Sequence, residues 1–207
     1  MTDTRAAAVA PEAATAVAAG APPRPVIQIV PLKGLPIVAL VLAFLVASIE
    51  RNWIWGLDFN HVVGGGLWTG IDLFVGLVLG PILARLSIPA RAEFSARFMP
   101  KMVLIMPTLV AMTLASGYQL ALDYGNLEPT SPNHAWLVVS FVVVGVMAVI
   151  ALGVLEPANI AVLFEMRKPQ PNGEVIAKLM KRFIYVAGIT GLMQVATLII
   201  MTRVSTQ

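Results

Sequence analysis

Two histidines and two carboxylates set in long apolar stretches are the residues of this sequence best placed to do chemistry. His61 opens the segment His61-Val-Val-Gly-Gly-Gly-Leu-Trp68-Thr-Gly70, at the head of an apolar run that closes near Ala84. Asp72 follows about three turns deeper along the same run. His134 heads a second long run, about Ala135–Phe164, and Glu156 lies near its far end. An imidazole is a metal or haem ligand and a proton carrier. A carboxylate within a membrane segment pairs with a cation or serves as a station for protons. The chain has no cysteine and only these two histidines. That excludes disulfides, thiolate sites and cysteine nucleophiles, and leaves imidazole, carboxylate and the thioethers of ten methionines as donors.

Spacing places several of these groups on one helical face. Residues 61, 65, 68, 72, 75 and 79 recur at steps of four and three, so His61, Gly65, Trp68, Asp72, Val75 and Leu79 form one stripe. A charge facing lipid at mid-membrane costs about 2.5–3.5 kcal/mol or more. Asp72 should therefore turn into a bundle and take His61 and Trp68 with it. At 1.5 Å per residue the two polar groups lie roughly 16 Å apart, too far to share a ligand but close enough to lie along one cavity. Gly64, Gly65, Gly66, Gly70, Gly76 and Gly80 leave room for a second helix backbone or for a flat cofactor. Asp72 and Glu156 are the candidates for a proton relay. The alternative for each is a neutral carboxyl bonded to a bundle hydroxyl such as Thr69, Thr108 or Thr113. Glu50 and Glu165, near span ends, are expected to be solvated.

These side chains have to be positioned by membrane helices. The chain is 58% hydrophobic and only 12% charged over 207 residues, with a mean hydropathy of +0.84. A water-facing surface needs roughly twice that charge. Five segments are long enough, or nearly so, to cross a bilayer: about 35–55, 61–84, 102–122, 135–164 and 183–201. Each must be helical, because a lone spanning segment has to satisfy its own backbone hydrogen bonds. Pro157 is expected to kink the over-long fourth span. The first is the weakest, with an uninterrupted core of 15 residues, Leu35–Ile49, and its alternative is an interfacial segment. Trp53 and Trp55 are expected at its membrane interface. The expected fold is all-α: a polytopic membrane bundle of five helices, with a four-helix core plus one, over residues 26–207. Residues 1–25 read as a disordered cytoplasmic tail, since Pro11 and Glu12 interrupt the apolar core that a secretory signal needs.

Net charge is +3 and the isoelectric point near 9.5, but the cations gather at the ends of apolar runs. That is a topology signal and not a nucleic-acid face. The connection 85–101 carries Arg85, Arg91, Arg97 and Lys101, and 167–182 carries Arg167, Lys168, Lys178, Lys181 and Arg182. Connection 50–60 has Arg51 alone, and 123–133 has none. The positive-inside rule therefore assigns the N-terminus and both basic connections to the cytoplasm and the C-terminus to the outside of a bacterial inner membrane. Both histidines then lie near the outer face. If the second and fourth spans are neighbours, His61 and His134 can ligate one haem iron or one copper ion from opposite sides. Otherwise both are interfacial residues bonded to headgroups or loop carbonyls. The sequence has no Gly-rich phosphate loop, no His-Glu-x-x-His and no Gly-x-Ser-x-Gly. Its connections, the longest about 17 residues, leave no room for a soluble catalytic domain.

The pattern His-x6-Trp-x-Gly at 61–70, followed by Phe74 and Gly-Pro-Ile-Leu at 80–83, resembles a group of small bacterial membrane proteins. The group holds the CopD copper-resistance proteins, the HemJ-type protoporphyrinogen oxidases and related integral-membrane proteins. The resemblance extends over about residues 57–122 and is loose beyond. It implies a four-helix module whose leading helix carries a histidine for haem or copper, and His61 is the position that matches. Val75–Leu86 lacks the further basic and histidine residues of HemJ-type proteins, so the oxidase activity does not follow. The expected function is to bind haem b or a transition metal near the outer face, as a redox or metal-handling subunit. In that arrangement His61 and His134 are ligands and Trp68 packs against the cofactor. The competing class is a non-catalytic scaffold or small permease subunit. Its partners would be other membrane subunits or, through Gly66-x-x-x-Gly70 and Gly76-x-x-x-Gly80, a second copy of the chain.

Overall fold

A computed structural model describes residues 27–206. The reading of 1–25 as a cytoplasmic tail lies outside the described residues. Five helices are long and apolar enough to cross a membrane: α1 (Leu32–Glu50), α2 (Ile54–Arg85), α3 (Ile88–Asp123), α4 (His134–Met166) and α5 (Gly173–Ser205). No strand occurs among the described residues, and the protein is an all-α, multi-pass membrane bundle. α2, α3, α4 and α5 pack in a ring, each against the next, and α5 closes back on α2. α1 lies outside this ring against α2 and α3. The four-plus-one arrangement expected from the sequence is thus present. The second and fourth spans, whose adjacency a ligand shared by His61 and His134 would need, are not packed neighbours: α2 and α4 stand at opposite corners of the ring.

The helices overrun the apolar segments. The 85–101 connection is mostly the beginning of α3, started by the Ser87 cap and Pro89. The 167–182 connection is largely the beginning of α5, where the Asn172 side chain accepts from the backbone N–H groups of Glu174 and Val175 at 3.0 and 3.3 Å. Hydropathy marks where a helix meets lipid; the hydrogen-bond ladder continues past that point because adding a residue to a helix costs far less than starting one. Glu165, expected to be solvated, is buried instead. It pairs with Lys168 Nζ at 2.6 Å and accepts from the Asn172 N–H at 3.2 Å, which closes the α4–α5 turn. At the other end, α1 stops at Glu50 and a tight turn with Asn52 at φ 47° leads into α2. Trp53 and Trp55 belong to the start of α2, where with Phe44 and Phe59 they form an aromatic cluster, both indoles well exposed. This is the composition of a membrane-interface belt.

Two helices widen for one turn. α2 is a π-helix over Phe74–Leu79, directly before Gly80-Pro81, and α4 over Ala151–Leu155, directly before Glu156-Pro157. Proline has no N–H, and its ring collides with the carbonyl four residues back, Leu77 or Gly153 here. A π-turn relieves that contact: the Gly80 N–H bonds to Val75 O and the Glu156 N–H to Ala151 O, five residues back. At Pro157, where a kink is expected, α4 has this π-turn and continues to Met166, and Pro81 has an unexpected counterpart.

α2 and α5 approach most closely at glycines. A Cβ on Gly76 would overlap the Gly188 Cα, with the Gly188 nitrogen 2.9 Å away. One on Gly188 would meet the Gly76 Cα at an ordinary 3.4 Å. Gly191 lies against the backbone of Asp72 and Leu73. This asymmetry sets a test. Gly76→Ala should destabilise the protein by about 1–3 kcal/mol through overpacking, seen as a lower unfolding midpoint in detergent, while Gly188→Ala stays near the parent.

Candidate functional site

The stripe expected on α2 faces inward: Trp68, Asp72 and Val75 are buried, and His61, Gly65 and Leu79 are half-buried. His61 is not at the helix mouth. α2 begins at Ile54, so the imidazole stands about two turns inside. Its ring rests on Gly117 of α3, where a Cβ would come within 2.5 Å of Cε1 and 2.6 Å of Nδ1. His61 Nδ1 lies 2.9 Å from the Thr113 carbonyl oxygen. A carbonyl only accepts, so Nδ1 carries the proton and Nε2 keeps its lone pair free. Metal-ligating histidines are commonly oriented in this way.

His61 forms part of the wall of a cavity of about 190 Å³ in the centre of the ring. All four ring helices contribute: Trp68 from α2, Gly117 and Tyr118 from α3, Ser140, Phe141 and Met147 from α4, and Gln194 and Met201 from α5. The lining is mainly apolar and aromatic, with one buried polar atom that has no hydrogen-bond partner, Gln194 Oε1; the Trp68 indole is directed to Asp72. An unmet acceptor at an apolar cavity is a feature of a site that accepts an occupant.

Asp72 lies one turn below Trp68, 2% exposed. Thr190 Oγ1 is 3.0 Å from its Oδ2, and Gln194 Nε2 is 3.4 Å from the same oxygen. The expected hydroxyl partners, Thr69, Thr108 and Thr113, instead bond to carbonyls of their own helices. Thr190 also reaches Val186 O at 3.1 Å and Ala187 O at 2.9 Å, so one hydroxyl proton faces three acceptors. The geometry serves both forms of the carboxyl. The anion accepts from Thr190 and Gln194; the acid donates to Thr190, whose own proton then goes to a backbone carbonyl. Gln194 links this centre to the cavity, since its side chain belongs to both.

The remaining sequence candidates lie elsewhere. His134 is the first residue of α4, and its Nδ1 is buried without a hydrogen-bond partner. It is not part of the cavity wall, which on α4 begins one turn deeper at Leu137. Glu156 follows the π-turn of α4, half-buried, and lines neither this cavity nor the groove described below. Near it Asn159 is fully buried, its side chain directed to Glu156. Among the described residues, no three histidine, aspartate or glutamate side chains gather to hold a metal ion. Of the two glycine pairs, Gly76 and Gly80 are occupied within the chain by Gly188 and Ile184, while Gly66 and Gly70 have no neighbour within 4 Å.

Comparison of the chain with protein-family models, curated proteins and solved structures finds no match.

Sequence reasoning missed Thr190, Gln194, Gly117 and the Thr113 carbonyl. Thr190 and Gln194 had a signal: two polar residues four apart in an apolar span, hence on one face. The Asp72–Thr190 contact predicts non-additive mutants. Thr190→Val alone should cost about 1–3 kcal/mol by stranding the carboxyl. Combined with Asp72→Leu, the loss should be smaller than the sum of the two single changes, measured as a double-mutant cycle of unfolding free energies in detergent.

Proposed function

We propose that this protein is a bacterial inner-membrane subunit that binds a redox-active cofactor or transition metal at His61, near the outer face. The N-terminus and the basic connections then lie in the cytoplasm and the C-terminus outside. The supporting observation is the imidazole seated on Gly117, its Nδ1–H held by the Thr113 carbonyl and its Nε2 uncommitted at a membrane-buried cavity.

The donor chemistry favours an ion over a porphyrin. Met201 lines the same cavity as His61, at a similar height in the bundle, and imidazole with a thioether is a soft pair suited to copper(I). A cavity of about 150 Å³ accommodates one benzene ring. At about 190 Å³, this one has room for an ion and its donors, whereas most of a four-pyrrole haem would protrude between the helices. The metal-handling reading therefore stands ahead of haem b, and it agrees with the resemblance of the His61–Gly70 segment to CopD-type proteins. Within it, His61 and Met201 hold the ion, Trp68 and Phe141 exclude water, and Asp72, joined to the cavity through Gln194, exchanges a compensating proton.

A second reading, a scaffold or small permease subunit, draws support from the open Gly66–Gly70 face, which suits a partner helix or another copy of the chain.

Metal analysis and a reduced-minus-oxidised visible spectrum, recorded on protein purified in mild detergent and exposed to copper(I), decide between them. The parent should retain stoichiometric copper. His61→Ala should lose it with helical content intact, and Met201→Leu should weaken it. His134→Ala should keep it; loss there would restore the two-imidazole arrangement. A haem band lost in His61→Ala would select the porphyrin, and colourless, metal-free parent protein would select the scaffold.

A further inference from the structure

A cavity larger than the one at His61 lies at the opposite end of the bundle. It is a groove of about 750 Å³ between α2 and α5, lined by Gly76, Leu77, Gly80 and Pro81 on one side and Ile184, Gly188, Ile189 and Leu192 on the other. Its floor is the glycine crossing, and its flanks are open, because Leu77, Ile189 and Leu192 are all exposed at membrane depth. Apolar along its length, it ends at a cationic rim of Lys178, Lys181 and Arg91.

Among the described residues, no carboxylate lines the groove beside the cations of its rim. Arg91 uses Nη2 and Nε on the Ala84 and Leu86 carbonyls, at 2.7 and 2.9 Å, which fixes it at the end of α2. Lys178 is in neither of the two ion pairs formed by the described residues, and nor is Lys181, whose Nζ stands 5.7 Å from the Tyr185 ring centroid. Length points the same way. From Lys181 to Leu192 is eleven residues, roughly 16 Å along a helix, and half of a ~30 Å hydrocarbon core is about 15 Å. The groove therefore runs the depth of one leaflet, from a charged end at the headgroups to an apolar end at the midplane.

We propose that this groove binds one anionic phospholipid, its phosphate at Lys178, Lys181 and Arg91 and an acyl chain laid over the Gly76–Gly188 crossing. The site is independent of the His61 cavity and of what that cavity holds. A peptide would demand partners for its backbone N–H and C=O groups, and the apolar walls supply none. A zwitterionic lipid would bring its own cation to a rim that already carries three.

The test uses the full chain in mild detergent, titrated separately with phosphatidylglycerol, phosphatidylcholine and soluble glycerol phosphate, with thermal stability and native mass spectrometry as readouts. Phosphatidylglycerol should raise the unfolding midpoint and remain bound as a one-to-one adduct, and the other two should not. The double variant Lys178→Gln/Lys181→Gln, changed at exposed positions, should weaken the adduct about tenfold or more. Ile189→Trp, which fills the groove without altering charge, should weaken it as well. Equal response to phosphatidylcholine, full protection by glycerol phosphate alone, or undiminished binding by both variants would overturn the assignment.

Discussion

The close crossing of α2 and α5 fixes the relation between every functional feature of this bundle. In lipid there is no hydrophobic force to drive two helices together, so contact depends on surface fit and on polar groups that find each other. Gly76, Gly188 and Gly191 provide the fit by removing side chains where the backbones meet. The Asp72–Thr190–Gln194 cluster provides the polar link one to two turns away. Toward the ends of α2 and α5 that carry His61 and Met201 the cavity between them is shared with α3 and α4. Toward the basic end the groove runs between α2 and α5.

The π-turns serve this geometry. A proline inside a long helix ordinarily bends it, and α2 has Pro81 within a few residues of the crossing. Taking up one extra residue over Phe74–Leu79 lets α2 pass the proline and continue to Arg85. The inward stripe that begins at His61 continues through this turn to Leu79 and the buried Leu83. α4 repeats the device ahead of Pro157 and places Glu156 and Asn159 immediately beyond it.

Much of the fold was legible in the sequence, because the number, type and order of membrane helices follow from apolar run length and from the distribution of Lys and Arg. The inward stripe of α2 was legible for the same kind of reason: helical period and the cost of a lipid-facing carboxylate together leave one orientation for Asp72. What sequence period cannot give is the register of one helix against another. Thr190 and Gln194 could be placed on one face of α5, but not at the height of Asp72, which is set by where the glycines cross. His61 and His134 look equivalent as heads of apolar runs. They differ because α2 starts seven residues before His61, whereas His134 is itself the first residue of α4.

The Gly76–Gly188 contact has a further consequence. It forms the floor of the basic groove and has no side chain that could swing aside to loosen it. A contact made of rotamers can rearrange in nanoseconds; one made of two touching backbones loosens only if whole helices separate. Any rearrangement at this crossing is therefore a rigid shift of α2 against α5.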